Sequence, residues 1–246
     1  MRPRGEEYRQ RSETRRAEAR AVTTRTFIMQ EQEQQTDTLR LSGDLSIPKG
    51  AEGLVLFAHG SGSSRHSPRN TAVARAFQQA GLGTFLIDLL TEDEETIDSR
   101  TRDLRFDIPM LAGRVAGAIS WLKRREEARS LRVGLFGSST GAAAALVAAA
   151  RHPDEVAAVV SRGGRPDLAD DHLAEVRAPT LLIVGERDEP VIRMNREAAG
   201  AMQCENELTI VPGASHLFEE PGTLDQVADL ARDWFSRHLQ NGSRDR

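Results

Sequence analysis

A serine lies between two glycines in the pattern GxSxG. The pattern consists of Gly137, Ser138, Ser139, Thr140 and Gly141. An apolar run precedes the pattern and an alanine-rich run follows it, which predicts a strand-to-helix turn. A sharp turn brings the backbone close to its neighbours, and glycines on either side of Ser139 leave the space for this. The helix N-terminus favours negative charge at the serine. The pattern predicts a nucleophile; a glycine-rich turn that only caps a helix is the alternative.

A serine hydroxyl becomes nucleophilic when a base takes its proton, and a third group must orient that base. Among the six histidines, His216 is the candidate because it follows a predicted strand and precedes the last predicted helix. Asp188 follows the preceding predicted strand at the tip of a short turn, flanked by the alternatives Glu186 and Glu189. The chain order Ser139, Asp188, His216 is that of one convergent class of catalytic triads.

Acyl transfer also needs two hydrogen-bond donors directed at the oxygen that becomes negatively charged. The N–H of Thr140, next to the predicted nucleophile, is one candidate. A glycine-rich stretch after an earlier strand supplies the other from Ser61, with Gly62 as the alternate. This stretch lacks the third glycine of a dinucleotide-binding loop and the lysine of a P-loop. Other residues of this stretch, and two that end a strand, are candidates for the substrate pocket. They are His59, His66, Ser161 and Arg162.

The elements that must position these residues alternate between apolar strands and helices. "GLVLFAHG", "GTFLIDLL", "LRVGLFG" and "PTLLIVG" are apolar throughout and are separated by stretches of helical pattern. Such strands predict an α/β fold with a mainly parallel central sheet and helices on both faces. No stretch is long enough for a large cap domain. Residues 91–107 are acidic and then mixed, and they predict an irregular loop where lids often lie.

The predicted domain occupies residues 36–240. Residues 1–35 mix arginine and glutamate near their start and hold little apolar surface, which predicts a disordered or loosely helical extension. Residues 241–246 are predicted to be a flexible tail.

Composition and charge argue against several classes of protein. The net charge of −4 argues against a nucleic-acid-binding surface. The single cysteine, Cys204, excludes an internal disulfide and fits a reducing compartment. His59 and His66 have no nearby third ligand for a metal. No apolar run resembles a membrane span or a signal peptide. We expect a soluble cytoplasmic protein with a small-molecule substrate and with no cofactor, metal, nucleic-acid partner or membrane contact; the sequence does not indicate its oligomeric state.

Four stretches resemble the α/β-hydrolases of the dienelactone hydrolase-like group. They are "LFAHGSGSS", "GLFGSSTGAAAAL", "APTLLIVGERDEPV" and "VPGASHLFEEPG", within a resemblance that covers roughly Thr36 to Leu239. The resemblance implies the α/β-hydrolase fold, a Ser139 nucleophile, an Asp188 orienting group, a His216 base and no cofactor. Dienelactone hydrolases proper use a cysteine nucleophile, so their lactone specificity is not carried over. Related hydrolase domains occur fused to a phosphoribosyltransferase, and we find no such second domain in this sequence.

These patterns together predict a serine hydrolase that cleaves a small carboxylic ester, thioester or lactone through an acyl-enzyme intermediate. Two alternatives stay open. One is an acyltransferase that uses the same triad, and the other is a catalytically idle protein of hydrolase fold that binds a partner through its arginine-rich N-terminal segment.

Overall fold

The computed structural model describes residues 22–33 and 37–240, and its centre is one sheet of eight strands. In chain order the strands are β1 (Thr24–Glu33), β2 (Asp37–Ser46), β3 (Gly53–Ala58), β4 (Gly83–Ile87), β5 (Arg132–Ser138), β6 (Val156–Arg162), β7 (Thr180–Gly185) and β8 (Asn206–Val211). Their order across the sheet is β1-β2-β4-β3-β5-β6-β7-β8.

The strand directions create a crevice at one edge of the sheet. β2 pairs antiparallel with β1 and with β4, and every other neighbouring pair is parallel. The chain runs from β3 outward to β4 and then returns to pair β5 with β3. The loops after β3 and β5 therefore diverge at the carboxyl edge, the place where open α/β sheets bind ligands.

Residues 22–33 and 37–240 form six helices, most of which cover the two faces of the sheet. They are α1 (Pro68–Gln79), α2 (Glu92–Thr101), α3 (Ile108–Lys123), α4 (Thr140–Arg151), α5 (Glu189–Ala201) and α6 (Thr223–Leu239), with short 3-10 segments at Leu104–Phe106 and Pro166–Glu175. α3 and α4 contribute to an apolar cluster on one face, and α1 and α6 to a cluster on the other. This double cover explains why β3, β4 and β7 are buried along their whole length. The predicted fold class is confirmed.

The sheet begins earlier in the chain than predicted. Residues 24–33 form β1, so the expectation of a disordered or loosely helical segment is wrong for them. Met29 is 1% exposed, and Phe27 packs edge-on against Trp121 with ring centroids 5.2 Å apart. Phe27 and Met29, two positions apart on one face of the strand, therefore pack on the core, and the polar residues around them conceal this signal in the sequence. The other predicted boundaries, in residues 1–21, 34–36 and 241–246, lie outside the described residues.

Residues 91–107 are ordered, and the predicted irregular loop is wrong. α2 begins with a capping box in which Thr91 Oγ1 accepts the N–H of Glu94 at 3.2 Å and the Glu94 side chain accepts the N–H of Thr91 at 2.8 Å. Arg114 of α3 pairs with Glu94 at 2.8 Å, and Arg105 pairs with the buried Asp98 at 2.6 Å. Ion pairs to a neighbouring helix and to the following 3-10 segment thus hold α2 in place.

Within residues 22–33 and 37–240, no helix combines the length and the hydropathy that a membrane crossing requires.

Candidate active site

Ser139 lies in a strained turn between β5 and α4. Its φ of 51° and ψ of −123° are unusual for a residue with a side chain. A Cβ atom at Gly137 would lie 2.4 Å from Ala142 Cα, and one at Gly141 would lie 2.3 Å from the carbonyl oxygen of Ala58. Both distances are too short for real atoms, so only glycine fits at the two positions. The turn holds the Ser139 side chain at the carboxyl edge of the sheet.

We expect Gly141→Ala to lower the free energy of unfolding by about 3 kcal/mol or more, because the new methyl group would meet backbone oxygens rather than a movable side chain. Gly200→Ala is the matched control. Gly200 lies in α5, and nothing lies within 4 Å of its Cβ position. The control should gain about 0.5–1 kcal/mol from the helix propensity of alanine. Urea unfolding followed by circular dichroism measures both, and equal stabilities for the two variants would contradict the packing argument.

Asp188 and His216 form a hydrogen-bonded pair beside this turn. Asp188 follows β7, His216 lies in the loop between β8 and α6, and Nδ1 of the imidazole is 2.6 Å from Oδ2 of the carboxylate. An ionised carboxylate only accepts hydrogen bonds, so Nδ1 carries a proton and Nε2 is the basic atom. Glu186 instead accepts the N–H of Gly213 at 2.7 Å. The geometry therefore favours Asp188 over its neighbours as the orienting group.

The end of β6 connects His216 to Ser139. The carbonyl of Arg162 accepts the N–H of Ser139 at 3.4 Å, and a Cβ at Gly163 would lie 3.5 Å from Cε1 of the imidazole. Among the described residues, no hydrogen bond joins the Ser139 hydroxyl to the imidazole. Such bonds are often long before substrate binds. The fold thus brings the predicted nucleophile, base and orienting acid to one sheet edge without closing the last hydrogen bond.

The two predicted oxyanion donors lie on facing loops. Thr140 begins α4, so its N–H has no partner within the helix. Ser61 lies in the loop after β3, and its hydroxyl is 3.0 Å from the Thr140 hydroxyl. A Cβ at Gly60 would come within 2.9 Å of Ser139 Cβ, so this glycine lets the loop approach the turn. Gly62 has a φ of 65° and turns the chain away. Both donor assignments stay predictions.

His59, a predicted pocket residue, uses both ring nitrogens within the protein. Its Nε2 accepts the N–H of Leu89 at 2.9 Å, so its Nδ1 carries the proton and donates to the carbonyl of Gly60, also at 2.9 Å. The side chain is buried and borders a small cavity beside Ser61 and Arg105. These bonds make His59 a support for the loop that carries Ser61.

Burial lowers the pKa of His59, against smaller opposing effects of the Gly60 hydrogen bond and of Asp88 and Glu95. Because folded His59 holds a proton less readily than unfolded His59, stability is complete above the ordinary histidine pKa of 6.5 and is lost as pH falls below it. We expect His59→Asn to reduce this acid loss of unfolding free energy, by at most about 1.4 kcal/mol per pH unit.

Urea midpoints at about pH 7.5 and pH 5.5 measure the effect across the histidine range. Burial also lowers the pKa of His238, so the variant His238→Asn provides the comparison and reports that residue's own share of the loss. An unchanged acid loss in His59→Asn would show that the buried imidazole does not stay neutral.

The other predicted pocket residues occupy different surroundings. His66 is exposed and borders an open cleft of about 630 Å³ that also touches Ser61 and Arg69. Ser161 is fully buried, and its hydroxyl lies against the α4 side of the sheet near Gly164. Arg162, the next residue along β6, is 7% exposed. Ser161 therefore faces the protein interior, and contact of these residues with substrate stays a prediction.

Sequence reasoning missed one residue that shapes the site. Asn195 of α5 is fully buried, and its Nδ2 donates to the carbonyls of Gly164 at 3.1 Å and Val191 at 2.8 Å. The N–H of Arg165, the residue after Gly164, donates to the carbonyl of Ser139 at 3.1 Å. Asn195 therefore steadies the loop after β6 that borders the serine. The sequence did carry a signal for this residue, because Asn195 is a polar residue on the apolar face of a predicted helix.

Comparison with known proteins shows what this chain is similar to. The profile described as the dienelactone hydrolase family matches residues 45–240. A solved structure of a dienelactone hydrolase from Anabaena variabilis is 57% identical, covers 88% of this chain and 99% of that chain, and superposes with a TM-score of 0.83. Est1E from Butyrivibrio proteoclasticus has a TM-score of 0.71 over 87% of this chain and 98% of that chain, but its 15% identity indicates the fold alone.

Two curated sequences from Mycobacterium tuberculosis, both named as phosphoribosyl transferases, are 56% identical over 199 residues. The match covers 81% of this chain and 44% of each relative, so the chain spans less than half of their length. The name of these relatives therefore describes whole proteins, of which this chain matches only a part.

Proposed function

This chain belongs to the dienelactone hydrolase family, and from that premise we propose that it is a serine-dependent hydrolase of small carboxylic esters, thioesters or lactones. One observation carries the proposal: the strained Ser139 turn shares a sheet edge with the Asp188–His216 hydrogen bond of 2.6 Å. A serine in such a turn, beside an oriented imidazole, has the arrangement that nucleophilic acyl transfer requires. The single cysteine suits a cytoplasmic location.

In acylation, the Ser139 oxygen attacks the carbonyl carbon while Nε2 of His216 takes the hydroxyl proton. Asp188 holds the imidazole by Nδ1 and stabilises its positive charge. The N–H groups of Thr140 and Ser61 donate to the oxyanion. His216 then gives its proton to the departing alcohol or thiol as the bond to the acyl carbon breaks. In deacylation, His216 takes a proton from water as the water oxygen attacks the acyl carbon, and it then returns this proton to the Ser139 oxygen as the acid leaves.

The surroundings of the site favour small substrates. The cleft beside Ser61 and His66, of about 630 Å³, has the size of an ordinary small-molecule site. The described residues contain no separate cap domain, and the segment that could act as a lid is α2, which its ion pairs to Arg105 and Arg114 hold in place. A short acyl group bound in an open cleft fits this arrangement better than a long lipid chain.

Labelling of the purified protein with a fluorophosphonate, followed by peptide mapping, tests the proposal without knowledge of the substrate. We expect one label on Ser139, because the reagent phosphonylates a serine activated by a neighbouring base. A folded protein that takes no label would contradict the proposal and favour an idle fold that binds a partner. Acyl transfer uses the same acyl-enzyme, so analysis of products with an added alcohol or amine distinguishes it from hydrolysis.

A further inference from the structure

Arg162 is a buried cation that has no counter-ion within the part of the chain that the structure describes. It ends β6, is 7% exposed, and has a buried Nη1 atom with no hydrogen-bond partner. Among the described residues, no carboxylate stabilises its charge. The charged side chain that acts on it is Arg69, a second cation. Burial of an unpaired charge is costly, so buried arginines normally have anionic or hydrogen-bonding partners.

Arg69 is also incompletely paired. Its Nε is buried without a hydrogen-bond partner, and its Nη1 lies 3.5 Å from Oε1 of Glu219. The Glu219 side chain is 63% exposed, so this long contact is weak and solvent-screened. Burial and the charge of Arg69 lower the pKa of Arg162 to about 10, in that order, and Arg162 therefore stays protonated at neutral pH. The charge of Arg69 thus acts on Arg162, each side chain has a buried nitrogen without a hydrogen-bond partner, and we call the two side chains the arginine recess.

The arginine recess adjoins the proposed catalytic groups. The backbone of Arg162 accepts the N–H of Ser139, and the residue after it lies against the imidazole of His216. Arg69 lines the open cleft that also touches Ser61 of the proposed oxyanion loop. A substrate that is held at the Ser61 loop and extends along this cleft therefore meets Arg69, although Asp88, Glu92 and Glu95 also line the cleft.

We propose that the arginine recess binds a phosphate group of the substrate, remote from the bond that is cleaved; this inference rests on the proposed hydrolase function. A phosphate monoester carries roughly −1.5 to −2 charges at neutral pH, enough to balance two guanidinium groups, whereas one carboxylate balances a single one. Arginine also binds phosphate oxygens in a bidentate geometry that lysine cannot reproduce. The pair of arginines therefore selects for a doubly charged group.

Three aryl esters of equal size test this inference: one neutral, one with a carboxylate and one with a phosphate monoester on the leaving group. We expect the phosphorylated ester to show a kcat/KM about 10-fold or more above that of the neutral ester, because hydrogen bonds to charged groups are among the strong ones. Arg162→Met should remove this preference, which is measured as the ratio of kcat/KM for the phosphorylated ester to that for the neutral ester within the same variant. The variant should fold at least as stably, since it removes an unpaired buried charge.

Arg69→Gln provides an independent test in case Arg162→Met does not fold, and it should weaken the same preference. Arg75→Gln is the matched control, because Arg75 is an exposed residue of the same helix and should leave the preference intact. Equal kcat/KM for the neutral and the phosphorylated ester in the wild type would overturn the inference, and so would an equal preference for the carboxylate ester.

Calorimetric titration with inorganic phosphate separates this inference from the proposed function. The recess should bind phosphate in the wild type and about 10-fold more weakly in Arg162→Met, whether or not an ester is cleaved. Phosphate binding without any hydrolysis or label on Ser139 would reject the hydrolase and keep the recess. Hydrolysis of the neutral ester without phosphate binding would reject the recess and keep the hydrolase.

Discussion

Replacement of Ser139 by alanine lowers kcat for a short-chain aryl ester by about 10⁴-fold or more, since the loss of a triad nucleophile leaves only the catalysis of the remaining groups. The variant keeps the oxyanion donors of Thr140 and Ser61, so it still binds the ester. It also relieves none of the backbone strain at φ 51°, because alanine has a Cβ atom as serine does. Its free energy of unfolding should stay close to that of the wild type. Steady-state kinetics and thermal unfolding measure both quantities.

Ser138→Ala is the matched control for this experiment. Ser138 is the neighbouring serine, but it ends β5 and is 3% exposed, so its hydroxyl does not share the strained turn. The control variant should keep most of the activity and all of the fluorophosphonate label. If Ser139→Ala keeps the wild-type kcat, Ser139 is not the nucleophile; if Ser138→Ala alone loses the label, the assignment within the turn is wrong.

The second large effect is expected from Asp188→Asn, which should lower kcat by about 10⁴-fold. The carboxylate of Asp188 accepts a hydrogen bond from the protonated Nδ1 of His216 at 2.6 Å. This bond selects the tautomer with a basic Nε2. The amide of asparagine can instead donate to Nδ1. The proton then resides on Nε2, and the imidazole can no longer take a proton from Ser139. The measurement is kcat at a saturating concentration of ester, because under this condition a weaker affinity for the ester does not lower the rate.

Glu189→Gln tests whether any acid near the turn would serve. Glu189 follows Asp188 directly and begins α5, and it forms no ion pair with a described residue. We expect this variant to retain activity within a few fold. An Asp188→Asn variant with wild-type kcat would contradict the proposed triad, whereas equal losses in the two variants would indicate a general effect of negative charge at this helix N-terminus.

The helices and strands that hold the site were largely predictable, and two segments show why others were not. β3, β4 and β7 follow from uninterrupted apolar runs, because a doubly covered strand has no polar face. α2 has an almost wholly polar sequence, and its stability comes from partners elsewhere in the chain, such as Arg114. Its capping signal at Thr91 and Glu94 was visible, but a local cap does not predict a long-range ion pair.

The sequence by itself determined the strand-to-helix turn, the serine within it and Gly137, because these features depend on neighbours only a few residues apart. The sequence pattern also includes Gly141, but the contact that requires this glycine is with Ala58 of β3 and belongs to the tertiary structure. The tertiary structure decided which acid faces His216, since Asp188 lies 28 positions away and its alternative Glu186 bonds to Gly213. It also made His59 a support for the Ser61 loop, through the hydrogen bond from Leu89, and left a buried atom of Arg162 without a hydrogen-bond partner among the described residues. Contacts between distant residues depend on how the elements pack, and periodicity along the chain carries no record of them.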